Sequence, residues 1–325
     1  MKLLVLFLNK TNDKWLSKIE ELRNRYHTVR FEGYFSNPSP RMLIKDADVV
    51  ITARLSKEEI ESSNLKLIIV PMAGVNALDW ESIRKKKIMV SNCHANAPIV
   101  AERALALALA LLGRVVEFDQ DLRYGLWHGY SVGSPEEDHW HSLRNRTVCI
   151  VGMGHIGEEL SKLLQPFGCQ IIGVKKSAPK EHSKITSDLD WAIQMSDVIF
   201  ITLPLTKETK NLFDAKRLHM MKGKYLINVS RGDIIDEKAL FESLKNKIIA
   251  GAAIDTWYLY PKNNDEALLP SRYPFNTLRN VVLSPHVGGY TEQGSDGLMN
   301  ETFIILETFL RTGEIINLVD PEQEY

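Results

Sequence analysis

Residues 147–164 read TVCIVGMGHIGEELSKLL, and this stretch decides the fold of the second half of the chain. A short β-branched run stops at Gly152, Gly154 and Gly157, spaced G-x-G-x-x-G, and an amphipathic helical pattern follows. In such a loop the first glycine permits a tight turn, the second lets a pyrophosphate approach bare backbone, and the third lets helix and strand pack closely. The helix start adds unpaired N–H groups and a positive dipole end. The stretch therefore predicts dinucleotide binding.

Composition and charge narrow the class of partner. Hydrophobic residues make up 44% of the 325 residues and charged residues 25%, which is ordinary for a soluble globular chain of two domains. Forty basic and 41 acidic residues give a formal net charge of −1. This balance offers no electrostatic case for nucleic acid or an anionic membrane as the partner. We expect a small-molecule substrate instead.

The cysteines and the apolar segments indicate a cytoplasmic protein. Cys93, Cys149 and Cys169 form no C-x-x-C pair, and the last two are interpreted as buried thiols of a reducing compartment. The N-terminal MKLLVLFL is interpreted as a first strand rather than a signal peptide. No metal is expected, because His139 and His141 have no further ligand at metal-site spacing.

Strand and helix patterns alternate along the chain. Before the glycine loop, strands are expected at 3–8, 49–52, 67–71 and 88–91, with helices at 13–25, 57–62 and 80–86. From the loop onward, strands are expected at 147–151, 170–174, 198–202, 225–229, 250–255 and 281–284. We therefore expect an α/β protein, with a Rossmann-type doubly wound parallel sheet and a second, flavodoxin-like α/β substrate domain.

The two domains are expected to interleave in sequence. Residues 1–98 and 289–325 are predicted to form a discontinuous substrate domain, and residues 99–288 the dinucleotide-binding domain. The last helical pattern, 291–311, is followed by too few residues to begin another domain. We expect this helix to fold back onto the first domain.

One long helix is predicted at 97–118, with Pro98 in its first turn. Its central stretch, 104–112, is apolar on every side, so we expect it to be buried all round. A hinge helix that also packs in a subunit interface would meet that requirement, and so would an ordinary core helix. The first alternative agrees with the homodimer that we expect.

Three side chains with useful chemistry follow the ends of predicted strands. Arg231 follows the strand at 225–229, Asp255 follows the next one, and His286 follows the last. Parallel strands deliver their carboxyl ends to one edge of a sheet, where ligands bind. The planar arginine fork suits a carboxylate, and histidine exchanges a proton near neutral pH. Together these residues predict an active site at that edge.

Seven motifs in order resemble those of a known family: AGVNALD at 73–79, NAPIVAE at 96–102, GMGHIG at 152–157, LPLTKET at 203–209, NVSRGDIIDEKAL at 228–240, GAAIDTW at 251–257 and SPHVGGYT at 284–291. The chain resembles the NAD(P)-dependent D-isomer-specific 2-hydroxyacid dehydrogenases, which include glyoxylate and hydroxypyruvate reductases, phosphoglycerate dehydrogenase and formate dehydrogenase. The resemblance implies hydride transfer between NADP(H) or NAD(H) and a small 2-oxo or D-2-hydroxy acid, such as glyoxylate, hydroxypyruvate or pyruvate.

The resemblance also implies roles for individual residues. Arg231 holds the substrate carboxylate and carbonyl oxygen, and His286 gives the carbonyl oxygen its proton. Backbone amides of Ala73, Gly74 and Val75 grip the carboxylate from its other side, and Asn96 lies near the substrate. Asp255 orients the nicotinamide carboxamide. The full expected cofactor set is Gly152, Gly154, His155, Ile156, Gly157, Lys175, Lys176, Ser177, Leu203, Pro204, Val229, Arg231, Asp255, His286 and Gly288.

Two positions depart from the family pattern. The family glutamate that pairs with the catalytic histidine is replaced by Tyr260, whose hydroxyl is a tentative substitute; Asp265 or Glu266 folding back is an alternative. Without that carboxylate we expect His286 to be less protonated at neutral pH. An acidic residue is also missing after the strand at 170–174, where Lys175, Lys176 and Ser177 stand instead. These residues favour the 2′-phosphate of NADP(H) and leave no carboxylate to repel it.

A non-catalytic function remains as the alternative. The missing glutamate is compatible with a dinucleotide-sensing, protein-binding module of the same fold, as in the C-terminal-binding proteins. Arg231 and His286 are retained, however, and this favours an enzyme. The substrate side chain cannot be read from the sequence, because its pocket is built from loops that include Arg54, Met72 and Trp257.

Overall fold

The computed structural model describes residues 2–180, 183–263 and 265–325. It divides the chain into two units. The first unit consists of Met1–Asn96 and Glu292–Tyr325, and the second of Ala97–Thr291. Each unit has its own parallel sheet.

The first unit is a five-stranded doubly wound sheet. Its order, β2-β1-β3-β4-β5, is the flavodoxin-like arrangement. Apolar side chains pack on both faces of the sheet, and Met299 and Phe303 of the last helix contribute to the core on one face. The elements are β1 (Leu3–Phe7), α1 (Asp13–Arg25), β2 (Val29–Gly33), β3 (Val49–Ile51), α2 (Lys57–Ser62), β4 (Leu67–Val70), α3 (Trp80–Lys86), β5 (Met89–Asn92) and α10 (Glu292–Thr312).

The second unit is a Rossmann-type sheet of seven described strands, in the order β12-β11-β10-β9-β6-β7-β8. The order reverses at β6, which carries the glycine loop at its carboxyl end. The elements are α4 (Ala97–Leu112), α5 (Val115–Arg123), β6 (Thr147–Val151), α6 (His155–Leu164), β7 (Gln170–Val174), β8 (Ile185–Thr186), α7 (Leu189–Met195), β9 (Val198–Ile201), α8 (Ala215–Met220), β10 (Tyr225–Asn228), α9 (Glu237–Lys245), β11 (Gly251–Ile254) and β12 (Val281–Leu283). The predicted fold class is confirmed.

Short polar side chains begin many of the helices. In the second unit, Asp236 accepts the backbone N–H of Ala239 at 2.7 Å and so caps the first turn of α9. In the first unit, Ser56 and Glu59 form a reciprocal capping box at the start of α2. Such caps satisfy backbone N–H groups that have no partner within the helix. The starts of these two helices therefore follow directly from the local sequence.

Two edge strands were not expected from the sequence. Strand β2 pairs with β1 alone and alternates polar with apolar residues, so it shows no continuous apolar run. Strand β8 has only two residues and pairs with β7. An edge strand is covered less completely than a central one, so its sequence carries a weaker apolar signal.

The prediction of one helix at 97–118 is wrong. Helix α4 ends at Leu112, and α5 begins at Val115 after Arg114 adopts a left-handed φ of 52°. Within the single chain, residues 104–112 are not covered on every side, because Leu109 is 39% exposed. Within the described residues, no helix is both long and apolar enough to cross a membrane.

Candidate active site

The glycine loop joins β6 to α6 in the second unit. Gly152 has a φ of 112°, which only glycine adopts readily, and a Cβ there would meet backbone atoms of Thr202 and Leu203 at 2.9 Å. A Cβ on Gly157 would stand 2.2 Å from the Gly152 carbonyl oxygen, so this glycine allows close packing of helix and loop. A Cβ on Gly154 would meet nothing within 4 Å. The loop therefore leaves open space directly before the N-terminus of α6.

Three adjacent strands of the second unit end near the candidate catalytic residues. Strands β10, β11 and β12 are neighbours and parallel, and Arg231, Asp255 and His286 follow their respective carboxyl ends. Asp255 comes directly after β11, where its backbone N–H donates to Asn228 of β10 at 2.9 Å. The topology thus brings these three residues to one edge of the sheet.

Arg231 is held in a structured turn after β10. The Asn228 side-chain amide donates to the Arg231 carbonyl oxygen at 3.0 Å, and the Asn228 side-chain oxygen accepts the N–H of Ser230 at 3.0 Å. Nη1 of Arg231 donates to the Ser230 carbonyl oxygen at 2.7 Å. Burial lowers the pKa of this guanidinium, which nevertheless stays charged at any physiological pH. Arg231 is therefore a fixed, partly desolvated cation.

Asp255 organises the loop that follows β12. Its Oδ1 accepts the Ser284 hydroxyl and the backbone N–H of Val287 at 3.1 Å, and its Oδ2 accepts the N–H of Gly288 at 2.9 Å. A Cβ on Gly288 would stand 2.8 Å from Oδ2, so no larger residue fits there without movement. The predicted role of Asp255 toward the nicotinamide stays a prediction; its visible role is to anchor residues 284–288.

His286 lies within this anchored loop, with an unusual left-handed φ of 58°. The residue is exposed, but partial desolvation lowers the pKa of its imidazole. The positive charge of Arg231 lowers this pKa further, and Asp255 opposes the shift. Arg231 is thus close enough to His286 for its charge to act on the imidazole. The imidazole therefore loses its proton at a lower pH than an unperturbed histidine.

Tyr260, at the position of the family glutamate, contacts His286 by its ring. The two ring centroids are 5.4 Å apart with an interplanar angle of 55°. The Tyr260 hydroxyl accepts the backbone N–H of Trp257 at 3.0 Å. Among the described residues it makes no hydrogen bond to His286, so the suggested hydroxyl contact to the imidazole is not seen. Glu266 accepts the N–H of Lys262 at 2.7 Å and does not replace the missing carboxylate either.

Trp257 is part of the protein core in the second unit. It is 5% exposed, packs edge-to-face against Phe275, and donates through Nε1 to the Ser284 carbonyl oxygen at 2.8 Å. A Cβ on Gly232 would stand 2.4 Å from the Trp257 carbonyl oxygen, which explains the glycine after Arg231. Trp257 thus supports the end of β12.

Lys176, the second of the two lysines after β7, has a partner that the sequence did not reveal. Nζ of Lys176 lies 2.5 Å from Oε2 of Glu208, and both side chains are exposed. A carboxylate therefore lies beside Lys176, although no acidic residue directly follows β7 in sequence. Leu203 and Pro204, in the same LPLTKET segment, accept hydrogen bonds at their carbonyl oxygens from Ser230 and Thr209.

The first unit holds the other predicted substrate residues in two hydrogen-bonded loops. The Asn92 side chain donates to the Ala73 carbonyl oxygen at 2.7 Å. Glu301 of α10 accepts the backbone N–H groups of His94 and Ala95 at 2.6 and 2.7 Å. Val75 is buried, whereas Gly74 and Asn96 are partly exposed. Asn92 and Glu301 were missed by sequence reasoning, because their partners lie on separate segments.

The three cysteines are free, and none has the environment of a nucleophile. Burial raises the pKa of Cys93 to about 12 and that of Cys149 to about 12, so both thiols stay protonated. Cys169 is only partly buried. Over residues 2–180, 183–263 and 265–325, no group of three or more histidine, cysteine, aspartate or glutamate residues could hold a metal ion.

The sequence and the structure are similar to those of known proteins. A family model for "D-isomer specific 2-hydroxyacid dehydrogenase, NAD binding domain" matches residues 105–288. Glyoxylate reductase of Thermococcus litoralis is 34% identical over 272 residues, which cover 78% of this chain and 78% of that protein.

Two solved structures share the fold along almost the whole chain. An acyclic imino acid reductase in complex with NADPH and D-Arg superposes with a TM-score of 0.81 at 27% identity, covering 98% of this chain and 100% of that one. The NAD-dependent formate dehydrogenase of Staphylococcus aureus, in complex with NAD, gives a TM-score of 0.77 at 26% identity, covering 98% of each chain.

Proposed function

The chain belongs to the D-isomer specific 2-hydroxyacid dehydrogenase family, and we propose that it is an NADPH-dependent reductase of a small 2-oxo acid. The observation that supports this proposal is that the adjacent parallel strands β10, β11 and β12 bring Arg231, Asp255 and His286 to one edge of the sheet. Arg231 is a permanent cation suited to a carboxylate, and His286 exchanges a proton near neutral pH. Reduction of a 2-oxo acid needs both a cation that binds the carboxylate and a group that gives the carbonyl oxygen its proton.

The chain's own residues account for binding and proton transfer. Arg231 binds the substrate carboxylate by two parallel hydrogen bonds and so orients the neighbouring carbonyl group. His286, protonated, donates its proton to the carbonyl oxygen as negative charge develops there. The bound carboxylate offsets the charge of Arg231, which favours protonation of His286 at the moment when the proton is needed. Oxidation of the 2-hydroxy acid uses the same groups in reverse.

The glycine loop fits a nicotinamide dinucleotide. The open space at Gly154 and the positive dipole end at the N-terminus of α6 suit a pyrophosphate, and Gly152 and Gly157 shape the backbone around it. When bound, the dinucleotide supplies the hydride. His155, Ile156, Leu203, Pro204, Val229 and Gly288 are proposed to line its remaining length.

The phosphorylated cofactor is favoured by charge. Lys175, Lys176 and Ser177 follow β7, where a carboxylate would otherwise bind the ribose 2′-hydroxyl. Lysines attract a 2′-phosphate, although Glu208 offsets part of that charge at Lys176. The similar proteins include one in complex with NADPH and one in complex with NAD, so the assay of the proposed reaction compares NADPH with NADH.

We assign substrate binding to the first unit, Met1–Asn96 and Glu292–Tyr325. Dinucleotide binding is assigned to the second unit, Ala97–Thr291. Ala73, Gly74, Val75 and Asn96 remain the proposed substrate contacts of the first unit. The similarity to glyoxylate reductase favours glyoxylate, hydroxypyruvate or pyruvate as the substrate. Free cysteines agree with a reducing, cytoplasmic location.

The proposed assembly is a homodimer formed through the second unit. Residues between 109 and 140 expose many large apolar side chains, and monomers rarely leave large apolar patches in water. Light scattering at micromolar concentration is expected to give twice the mass of the chain, and Trp127→Asp to give a monomer. The exposed residues are Leu109, Val115, Val116, Leu122, Tyr124, Leu126, Trp127, Tyr130, Val132 and Trp140.

One spectrophotometric screen tests the proposed reaction. Glyoxylate, hydroxypyruvate and pyruvate are each mixed with enzyme and either NADPH or NADH, and cofactor oxidation is followed. We expect turnover of at least one acid, a higher kcat/KM with NADPH, and loss of turnover in His286→Gln. Dinucleotide binding without turnover of any 2-oxo acid would favour the non-catalytic sensing module.

A further inference from the structure

A chain of hydrogen bonds joins helix α4 to the loop that carries His286. Nη2 of Arg103 donates to the Ser284 hydroxyl at 2.8 Å, and that hydroxyl donates to Oδ1 of Asp255. Asp255 in turn accepts the backbone N–H groups of residues 287 and 288. These hydrogen bonds therefore fix the backbone on both sides of residue 286.

Arg103 determines which group donates and which accepts in this series of hydrogen bonds. A guanidinium has only donors, so the Ser284 hydroxyl must accept from it. The hydroxyl carries a single proton, which is then left for Asp255. Ser284 and Asp255 are each 1% exposed, and hydrogen bonds in such a dry site polarise and strengthen one another.

Packing alone does not explain an arginine at this position. Nε of Arg103 is buried and has no hydrogen-bond partner among the described residues. An unsatisfied buried donor weakens a protein, and departures of this kind concentrate at functional sites. His286 has a φ of 58°, a conformation that an L-residue keeps only when its surroundings hold it.

We propose that Arg103 is a positioning residue for proton transfer. Acting through Ser284 and Asp255, it holds residues 284–288 in the conformation that presents His286 to the substrate carbonyl. The inference rests on the proposed function, because it concerns the proton that His286 donates. Substrate affinity depends on Arg231, which follows a different strand, so the effect of Arg103 falls on kcat rather than on KM.

A double-mutant cycle tests this role. We expect Arg103→Met to lower kcat on the order of 10-fold while KM changes less than about twofold, and Arg103→Lys to recover part of the loss. Ser284→Ala breaks the same series of hydrogen bonds, so the double variant is expected to be no slower than the slower single variant. Arg144→Met, which removes an exposed arginine of the same unit, is the matched control and is expected to match wild type.

The imidazole signal of His286 in an NMR spectrum provides a readout without substrate. It is expected to shift in Arg103→Met and to stay in place in Arg144→Met. An unshifted signal, an unchanged kcat, or losses that multiply in the double variant would overturn the inference. A kcat loss that matches the fraction of unfolded protein at the assay temperature would also overturn it. A wild-type enzyme inactive on every 2-oxo acid would instead refute the proposed function, and the NMR comparison would still decide the role of Arg103.

Discussion

The rings of Tyr260 and His286 lie 5.4 Å apart, and the Tyr260 hydroxyl is turned to the backbone N–H of Trp257. The family's histidine partner is thus replaced by an aromatic contact that holds no negative charge. Burial raises the pKa of the Tyr260 hydroxyl, so this residue stays neutral across the physiological range. The acidity of His286 therefore depends on its desolvation, on Arg231 and on Asp255.

Tyr260→Glu is predicted to extend reduction to higher pH. A carboxylate near the imidazole stabilises its protonated form and typically raises its pKa by about 1–3 units. The pH dependence of kcat/KM for reduction measures this shift. Tyr260→Gln is the control, since it removes the ring without adding charge. Identical profiles for the glutamate variant and wild type would contradict the pairing argument.

The wild-type enzyme is predicted to reduce its substrate best below neutral pH. Desolvation and Arg231 lower the pKa of His286, so the reactive imidazolium is lost as pH rises through a value below the usual value of about 6.5. The bound substrate carboxylate offsets Arg231, so the pKa seen in kcat is expected to lie above the one seen in kcat/KM. Initial rates between about pH 5 and pH 9 give both values. The reverse order would argue against carboxylate binding at Arg231.

Glu208→Gln is predicted to tighten NADPH binding. The substitution breaks the Lys176–Glu208 ion pair and removes a negative charge near the proposed 2′-phosphate site. Exposed ion pairs are weak, so we expect the Kd for NADPH to fall about twofold to fivefold and that for NADH to stay within error. Fluorescence titration measures both. Glu159→Gln breaks the exposed Glu159–Lys162 pair on α6 and is the control; equal effects of both variants would refute the assignment.

Gly157→Ala is predicted to lower thermal stability, whereas Gly154→Ala is predicted to lower dinucleotide affinity. A Cβ on Gly157 would collide with the Gly152 carbonyl oxygen at 2.2 Å, so this variant is expected to have a lower Tm. A Cβ on Gly154 meets only open space, so the Tm without cofactor is expected to match wild type while dinucleotide affinity falls. Thermal unfolding with and without NADPH separates the two effects. A Gly154→Ala protein with full affinity would place the pyrophosphate elsewhere.

His128 is predicted to stabilise the second unit at acid and neutral pH. Its Nδ1 lies 2.8 Å from Asp138 and its Nε2 lies 2.9 Å from Asp121, so both ring nitrogens face carboxylates. These contacts raise the pKa of His128 above its unfolded value of about 6.5, although Arg114 and Arg279 also lie nearby. The stabilisation is therefore complete below that value and is lost as pH rises through the raised pKa.

The variant His128→Gln tests this pH dependence. It is expected to lower the Tm more at about pH 5.5 than at about pH 9, because only the imidazolium satisfies both carboxylates. His139→Gln, at an exposed histidine nearby in sequence, is the control. An equal loss of Tm at both pH values would mean that the charge of His128 is irrelevant to stability.

Most elements could be predicted because their signals are local. Helices α1, α2 and α3 begin and end where capping residues and apolar spacing indicate. The break between α4 and α5 could not be predicted in the same way. It requires a left-handed Arg114, and arginine carries no preference for that conformation. The backbone conformation of such a residue is set by its contacts in three dimensions and not by its neighbours in sequence.

The sequence by itself determined the two parallel sheets, the glycine loop and the delivery of Arg231, Asp255 and His286 to one sheet edge. Each of these follows from short-range pattern and from the rule that parallel strands end together. Only the tertiary structure decided which side chains meet. Lys176 pairs with Glu208 across 32 positions, and Arg103 reaches Ser284 across 181. Such pairs depend on strand order and side-chain direction in three dimensions, which no local pattern records.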